Sequence, residues 1–190
     1  MAQDSLKVVE TSIAGVLTLE PAILGDARGF FMELFNSDRY EAAGITAAFV
    51  QDNLSRSTRG VLRGLHIQNP KPQGKLVTVL RGAVIDIAVD VRVGSPTFGQ
   101  HVKMELSEEN RRQLWVPRGF AHGFVVMSEV ADFLYKCDEF YSPGNELVLR
   151  WDDPELGIDW GLTAPIVSER DRSGRTLSQL NGLLPVFGRA

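Results

Sequence analysis

The chain has 190 residues, enough for one domain with a substantial core and short for two. Its hydrophobic content of 44% argues against disorder, and a formal net charge of −4 gives no basic excess, so neither nucleic acid nor a membrane is expected as a partner. A single cysteine, Cys137, forms no internal disulfide, and no apolar run approaches the roughly 20 residues that span a bilayer.

The first ten residues mix Gln3, Asp4, Lys7 and Glu10 with apolar ones and hold no apolar signal-peptide core, so the expected location is the cytosol. Residues 30–35 read as a strand. Ser37 is placed to N-cap a turn or two of helix through Tyr40 to Ala43, with Gly44 ending it. Residues 60–68 form the next expected strand. Residues 74–92 read as two strands joined by a tight turn at Arg81-Gly82. In the second of them Ile85, Ile87, Val89 and Val91 alternate with Asp86, Ala88, Asp90 and Arg92, which predicts one apolar and one polar face. Residues 100–106 repeat the pattern, with Val102, Met104 and Leu106 inward and His101, Lys103 and Glu105 outward. Further strands are expected at 121–127, 131–137 and 146–151, and the tail from Ser168 is polar and partly helical or irregular. Glycine and proline are spread evenly, so 1–190 reads as a single domain. Many short strands with few helices predict an all-β sandwich or barrel.

Three segments carry candidate chemistry. Val61-Leu62-Arg63-Gly64-Leu65-His66-Ile67-Gln68 sets an imidazole among apolar neighbours, three residues from a guanidinium. An imidazole titrates near neutrality and suits general-base work; a core histidine with one hydrogen bond fits the same context. In a regular strand Arg63 and His66 face opposite ways, because three is an odd offset. A shared site therefore requires a bulge, and Gly64 is the natural place for it.

The second segment, Pro117-Arg118-Gly119-Phe120-Ala121-His122-Gly123-Phe124, has the P-x-G-x-x-H spacing of the second motif of cupins, which are metal-binding jelly rolls. There His122 would be a ligand. The H-x-H pair expected on an earlier strand reads His66-Ile67-Gln68 here, and the third histidine, His101, looks outward. This resemblance implies a cupin-like fold without the metal. The third segment, from Ala131 to Tyr141, puts Phe133, Tyr135 and Cys137 on one face. A tyrosine hydroxyl inside a barrel needs a polar partner or donates a proton, and Cys137 reads as a small strand residue. There is no G-x-G-x-x-G, P-loop or G-x-S-x-G motif, so the chemistry falls to side chains without a cofactor.

Further segments extend the pattern. They include Asp26-Ala27-Arg28-Gly29-Phe30-Phe31-Met32-Glu33, Gln51-Asp52-Asn53-Leu54-Ser55, Pro72-Gln73-Gly74-Lys75-Leu76-Val77, Gln113-Leu114-Trp115-Val116-Pro117, Trp151-Asp152-Asp153-Pro154 and Ser168-Glu169-Arg170-Asp171. Together these segments resemble the dTDP-4-dehydrorhamnose 3,5-epimerase family over roughly residues 8 to 180. The resemblance implies a homodimeric, cupin-type antiparallel jelly roll with a few short helices and no metal or cofactor. It implies inversion of C3 and C5 of dTDP-4-keto-6-deoxyglucose, giving dTDP-4-keto-L-rhamnose by general acid/base proton transfer. The alternative is a mono-epimerase that inverts only C3 or only C5 of a related nucleotide-linked 4-keto-6-deoxysugar. By resemblance His66 is the general base, Asp171 its partner and Tyr135 the acid on the other face of the sugar. Arg63 and Lys75 match positions facing the C4 keto oxygen, and His122 matches a pocket histidine near the base. Arg28, Phe31, Glu33, Gln51, Asn53 and Tyr141 match positions around the nucleotide. Phe31 and Tyr141 suit stacking on a thymine ring, and also suit a plain core. Ile67 stands where many relatives carry an aromatic residue and Leu54 where some carry histidine; neither change removes a proposed catalytic group.

Overall fold

The computed structural model describes residues 6–188. Two sheets face each other. The first runs in space as β1 (Lys7–Glu10), β2 (Leu17–Glu20), β10 (Gln113–Val116), β7 (Lys75–Arg81), β12 (Val130–Cys137) and β5 (Gln51–Thr58). The second runs as β13 (Glu146–Val148), β6 (Val61–Gln68), β11 (Phe120–Val126), β8 (Ala83–Asp90) and β9 (His101–Ser107). A short β14 (Ile166–Val167) pairs parallel with β6, and the other strand pairs are antiparallel. A separate hairpin pairs β3 (Ile23–Asp26) with β4 (Gly29–Met32). The arrangement is a jelly roll.

Three apolar layers hold it. Val77, Val79, Val84, Ala88, Phe124 and Phe133 meet between the sheets. The outer face of the second sheet, including Leu62, Leu65, Ile87 and Val89, is covered by Leu149, Trp160, Leu177 and Leu180 from the C-terminal segment. The outer face of the first sheet packs Leu19, Leu76 and Trp115 against Tyr40 and Ile45. The second sheet is therefore buried on both faces. The two faces of β8 differ as expected, but its polar positions do not meet solvent. Asp86 and Asp90 are fully buried, because the face they occupy lines the interior of the roll.

The remaining strands fall close to the expected positions, with physical reasons for the differences. The turn between β7 and β8 sits at Gly82, with φ +76°. The expected 30–35 strand contracts to β4. The expected 146–151 strand ends at Val148; Leu149 still exchanges backbone hydrogen bonds with Leu65 of β6 at 2.9 and 3.2 Å while bridging to Arg175 on its other side, and the chain then turns. The first helix, α1 (Ser37–Ala42), is capped one residue earlier than the sequence suggested. Asn36 Oδ1 accepts from Arg39 N at 3.3 Å, so Ser37 is the first helical residue. The tail contains α2 (Glu169–Arg172) and α3 (Leu177–Leu180), the latter closed by a Thr176/Gln179 capping box. None of the described helices is long and apolar enough to cross a membrane.

One irregularity positions the site. His66 pairs with His122 across β6 and β11, yet Arg63 pairs with Phe124, so β6 holds one more residue than β11 over this stretch. Gly64 sits at φ +126°, and the bulge contains a cis Gly64–Leu65 peptide. Leu62 and Leu65 consequently share the outer cluster at an odd offset, and Arg63 and His66 share the inner face. A Cβ on Gly64 would lie 2.6 Å from Gly123 Cα, in a conformation side chains avoid. Gly64→Ala is expected to cost about 2 kcal/mol or more of stability by chemical denaturation. Gly144→Ala, where a Cβ meets nothing within 4 Å, is expected to be nearly neutral.

Candidate active site

A cavity of about 610 Å³ opens between the two sheets. Each wall contributes side chains that the strand period turns inward. From the first sheet come Gln51, Asn53 and Ser55 of β5, Lys75 of β7, and Phe133 and Tyr135 of β12. From the second come Arg63 and His66 of β6 and His122 of β11. Tyr141, Glu146, Ser168, Arg170 and Asp171 close one side.

His66 Nε2 lies 2.6 Å from Asp171 Oδ1, while Gly64 N donates to Asp171 Oδ2 at 3.3 Å. Asp171 is brought there by α2. The Ser168 side chain caps this single turn by accepting from Asp171 N at 3.1 Å. Burial alone would raise the Asp171 carboxyl. The hydrogen bond and charge of His66, with Gly64 and Ser168, outweigh it and hold the group below its ordinary value. The carboxylate is thus charged at neutral pH, and it orients the imbedded imidazole and stabilises a positive charge on it.

Beside this pair stands a second one that sequence reasoning missed. His122 Nε2 is 3.0 Å from both oxygens of the fully buried Asp86. The alternating pattern of β8 contained the signal, since Asp86 interrupts a strand whose other inward neighbours, Val84 and Ala88, are apolar.

Cations face these histidines. Arg63 is braced by Ser57, whose Oγ accepts from Arg63 Nε at 3.0 Å. Lys75 has no carboxylate within ion-pair distance among the described residues. Burial lowers its pKa from the ordinary lysine value, against the opposing pull of Cys137 and Asp86. On the same wall burial, with Cys137, raises the Tyr135 hydroxyl above its ordinary value, so it keeps its proton well into alkaline solution. Burial likewise pushes the Cys137 thiol up to about 11, which makes it inert packing rather than a nucleophile.

The cavity thus gathers His66, Asp171, Tyr135, Arg63, Lys75, His122, Gln51, Asn53 and Tyr141. The polar chains at its mouth are tied together. Gln51 Nε2 donates to Asn53 Oδ1 at 3.0 Å, Tyr141 N donates to Gln51 Oε1 at 2.9 Å, and Tyr141 Oη donates to Glu146 Oε2 at 3.0 Å. Ser55 Oγ is buried without a hydrogen-bond partner among the described residues. Glu146 and Arg170, an ion pair on the rim, also escaped sequence reasoning.

Arg28, Phe31 and Glu33 do not line this cavity. Arg28 pairs with Asp26 and Phe31 is 67% exposed, both on the β3–β4 hairpin; Glu33 engages Arg39 at 2.7 Å. Among the described residues no group of three or more His, Cys, Asp and Glu is arranged to hold a metal ion.

Known proteins share this architecture. The sequence profile of the dTDP-4-dehydrorhamnose 3,5-epimerase family matches residues 10–179. A dTDP-4-dehydrorhamnose 3,5-epimerase of Pseudomonas aeruginosa is 54% identical over 175 residues, covering 91% of this chain and 97% of the relative. The solved dTDP-6-deoxy-D-glucose-3,5-epimerase of Legionella pneumophila, in complex with dTDP-4-keto-L-rhamnose, superposes with a TM-score of 0.94 at 51% identity, covering 96% of this chain and 99% of that one. A dTDP-4-dehydrorhamnose 3-epimerase of Streptomyces niveus is 40% identical, covering 92% of this chain and 86% of the relative. The chain belongs to the dTDP-4-dehydrorhamnose 3,5-epimerase family and is an isomerase.

Proposed function

We propose that the protein inverts C3 and C5 of dTDP-4-keto-6-deoxyglucose, giving dTDP-4-keto-L-rhamnose. The observation that carries this reading is the placement of two proton-handling groups on opposite walls. His66, backed by Asp171, stands on the second sheet, and Tyr135 stands on the first. Inversion requires a proton to leave one face of the sugar and return to the other, so two groups on facing walls suit it.

The hydrogens on C3 and C5 flank the C4 ketone, and removing either places charge on the ketone oxygen. Arg63 and Lys75 are the cations available to stabilise that charge before it forms. His66 is the base and Tyr135 the acid, each worth about 10²–10⁴-fold in rate. Arg170, half exposed at the rim, supplies a local positive charge for the diphosphate despite the acidic net charge. Gln51, Asn53, Tyr141 and the unpartnered Ser55 Oγ are the polar contacts for the nucleotide and sugar.

The hairpin fits this reading if the protein acts as a homodimer. Arg28 and Phe31 stand outside their own chain's cavity on a ribbon that pairs with neither main sheet and exposes Ile23, Leu24, Phe30 and Phe31. In a dimer the ribbon reaches the cavity of the second copy and closes it around the nucleotide.

Incubation with dTDP-4-keto-6-deoxyglucose in D₂O is expected to place deuterium at both C3 and C5 by NMR. Label at one carbon would narrow the reaction to a mono-epimerase, and label at neither would overturn the reading. His66→Ala is expected to abolish exchange at both carbons with an unchanged circular dichroism spectrum. Lys75 loses its proton below the ordinary lysine value of 10.5 while Tyr135 retains its own above 10.0, so kcat is expected to fall on the alkaline side as Lys75 neutralises. In Lys75→Arg, whose guanidinium stays charged, that alkaline fall should disappear from the pH profile. Mixing inactive His66→Ala protomers with weakened Arg28→Ala protomers is expected to restore activity, since one cavity of the mixed dimer is intact. No gain on mixing would place the hairpin in its own subunit or out of the reaction.

A further inference from the structure

Each inversion leaves a proton imbalance. On the acid/base reading above, His66 gains a proton from carbon and Tyr135 gives one up. The site then holds an imidazolium and a phenolate. A second inversion on the same sugar requires both to be reset, so a proton must leave His66 by a route that does not pass through the substrate.

Asp171 is poorly placed for that exit. It holds the Nε2 side of the ring at 2.6 Å, is 4% exposed, and spends its other oxygen on Gly64 N. The other side of the ring faces a second carboxylate. Glu146 Oε1 lies 4.0 Å from His66 Nδ1, too far for a direct hydrogen bond and within reach through one water. A small hollow bounded by His66, Gln68, Gln73, Lys75 and Glu146 lies beside the two groups. Glu146 is itself only 9% exposed, but its second oxygen is held by the Tyr141 hydroxyl and by Arg170, and both of these reach solvent. The His66 side chain is 27% exposed, toward the cavity that the sugar would fill, and Glu146 joins it to the wet rim on the side away from that space. The other charged or titratable groups lining the cavity are Arg63 on β6, Lys75 on β7, His122 on β11, Tyr135 on β12, Arg170 on α2 and Tyr141. Of these His122 is occupied by Asp86, the cations do not accept protons, Tyr141 donates to Glu146, and Tyr135 stands on the facing sheet, across the sugar.

We propose that Glu146 is the proton outlet of His66, resetting the base between the two inversions. Through one bridging water the imidazolium N–H bond breaks, the water passes one of its own protons on, and an O–H bond forms on Glu146. Glu146 then releases the proton to water at the rim, and a water proton returns to the Tyr135 phenolate, so no net proton is consumed. A carboxylate is a weaker base than an imidazole, so the proton rests on Glu146 only in passing. Arg170 and Tyr141 keep Oε1 aimed at His66 by occupying Oε2.

The test is Glu146→Gln, which keeps the shape and accepts from Tyr141 but takes up no proton. With dTDP-4-keto-6-deoxyglucose the first inversion in a single turnover is expected near the wild-type rate. The second should slow by about tenfold or more, so the singly inverted sugar accumulates, with KM within about threefold of wild type. Added formate or imidazole buffer should speed the second step in proportion to its concentration. Glu146→Asp, which retains a carboxylate, should produce more of the doubly inverted sugar than Glu146→Gln. A Glu146→Gln product distribution like that of wild type, unaffected by buffer, would overturn the proposal and leave the reading of the cavity intact. Equal losses in both variants without buffer rescue would assign Glu146 a structural role and overturn it as well. If the wild-type protein exchanges neither carbon-bound hydrogen, the acid/base reading and the outlet fall together.

Discussion

The close approach of Gly64 and Gly123 lets β6 carry an extra residue against β11, and the cavity depends on that slack. Without it the period of two would send either Arg63 or His66 into the apolar layer under the C-terminal segment. With it a guanidinium and an imidazole three residues apart face the same interior. The same bulge turns Gly64 N toward Asp171, so the distortion that aligns the imidazole also supplies a donor to the carboxylate beside it. Two glycines are needed because any Cβ at either position would collide with the opposite backbone.

Around this point the fold solves a problem of polarity. An interior filled with charge would not hold two sheets together, and an apolar interior would do no proton chemistry. The protein sets the two side by side. An apolar cluster that includes Val77, Val79, Val126 and Ala131 holds the sheets together beside a cavity that gathers the charged groups. Most of these are satisfied in pairs, as in His122 with Asp86 and Arg63 with Ser57, which offsets the cost of burying them. Lys75 is left with no ion-pair partner among the described residues. A charge held unpaired in a cavity is poised for an anion that arrives later, since no existing bond must be broken first.

Much of this was legible in the sequence, for reasons that differ between elements. β8 and β9 alternate cleanly because their faces differ in chemistry, Phe133, Tyr135 and Cys137 mark one face of β12, and the odd offset between Arg63 and His66 alone calls for a bulge at Gly64. β5 was not legible. One of its faces lines a polar cavity and the other meets solvent, so Gln51–Thr58 shows no apolar period at all. The exposed edge strand β1 and the short β14 give too few residues for a pattern. Asp86 was visible as part of a polar face but not as a partner of His122, because alternation reveals that a face is polar without revealing what lies beyond it. Glu146 and Arg170 gain their meaning only from a meeting of segments distant in sequence, which local pattern does not encode.

The distance along the chain between His66 and Asp171, 105 residues, has a consequence for how the protein is made. Apart from the two-residue β14, the two sheets draw on strands that end at Val148, and the carboxylate that pairs with His66 arrives only with the segment after β14. A nascent chain emerging from the ribosome therefore presents most of its strands before it presents a finished imidazole–carboxylate pair. The covering residues Leu177 and Leu180, which shield the outer face of the second sheet, emerge later still. Completion of the His66–Asp171 pair and concealment of that apolar face thus fall in the same last stretch of synthesis, so the second sheet stands with its outer face incompletely covered until after the segment that brings Asp171 has been made.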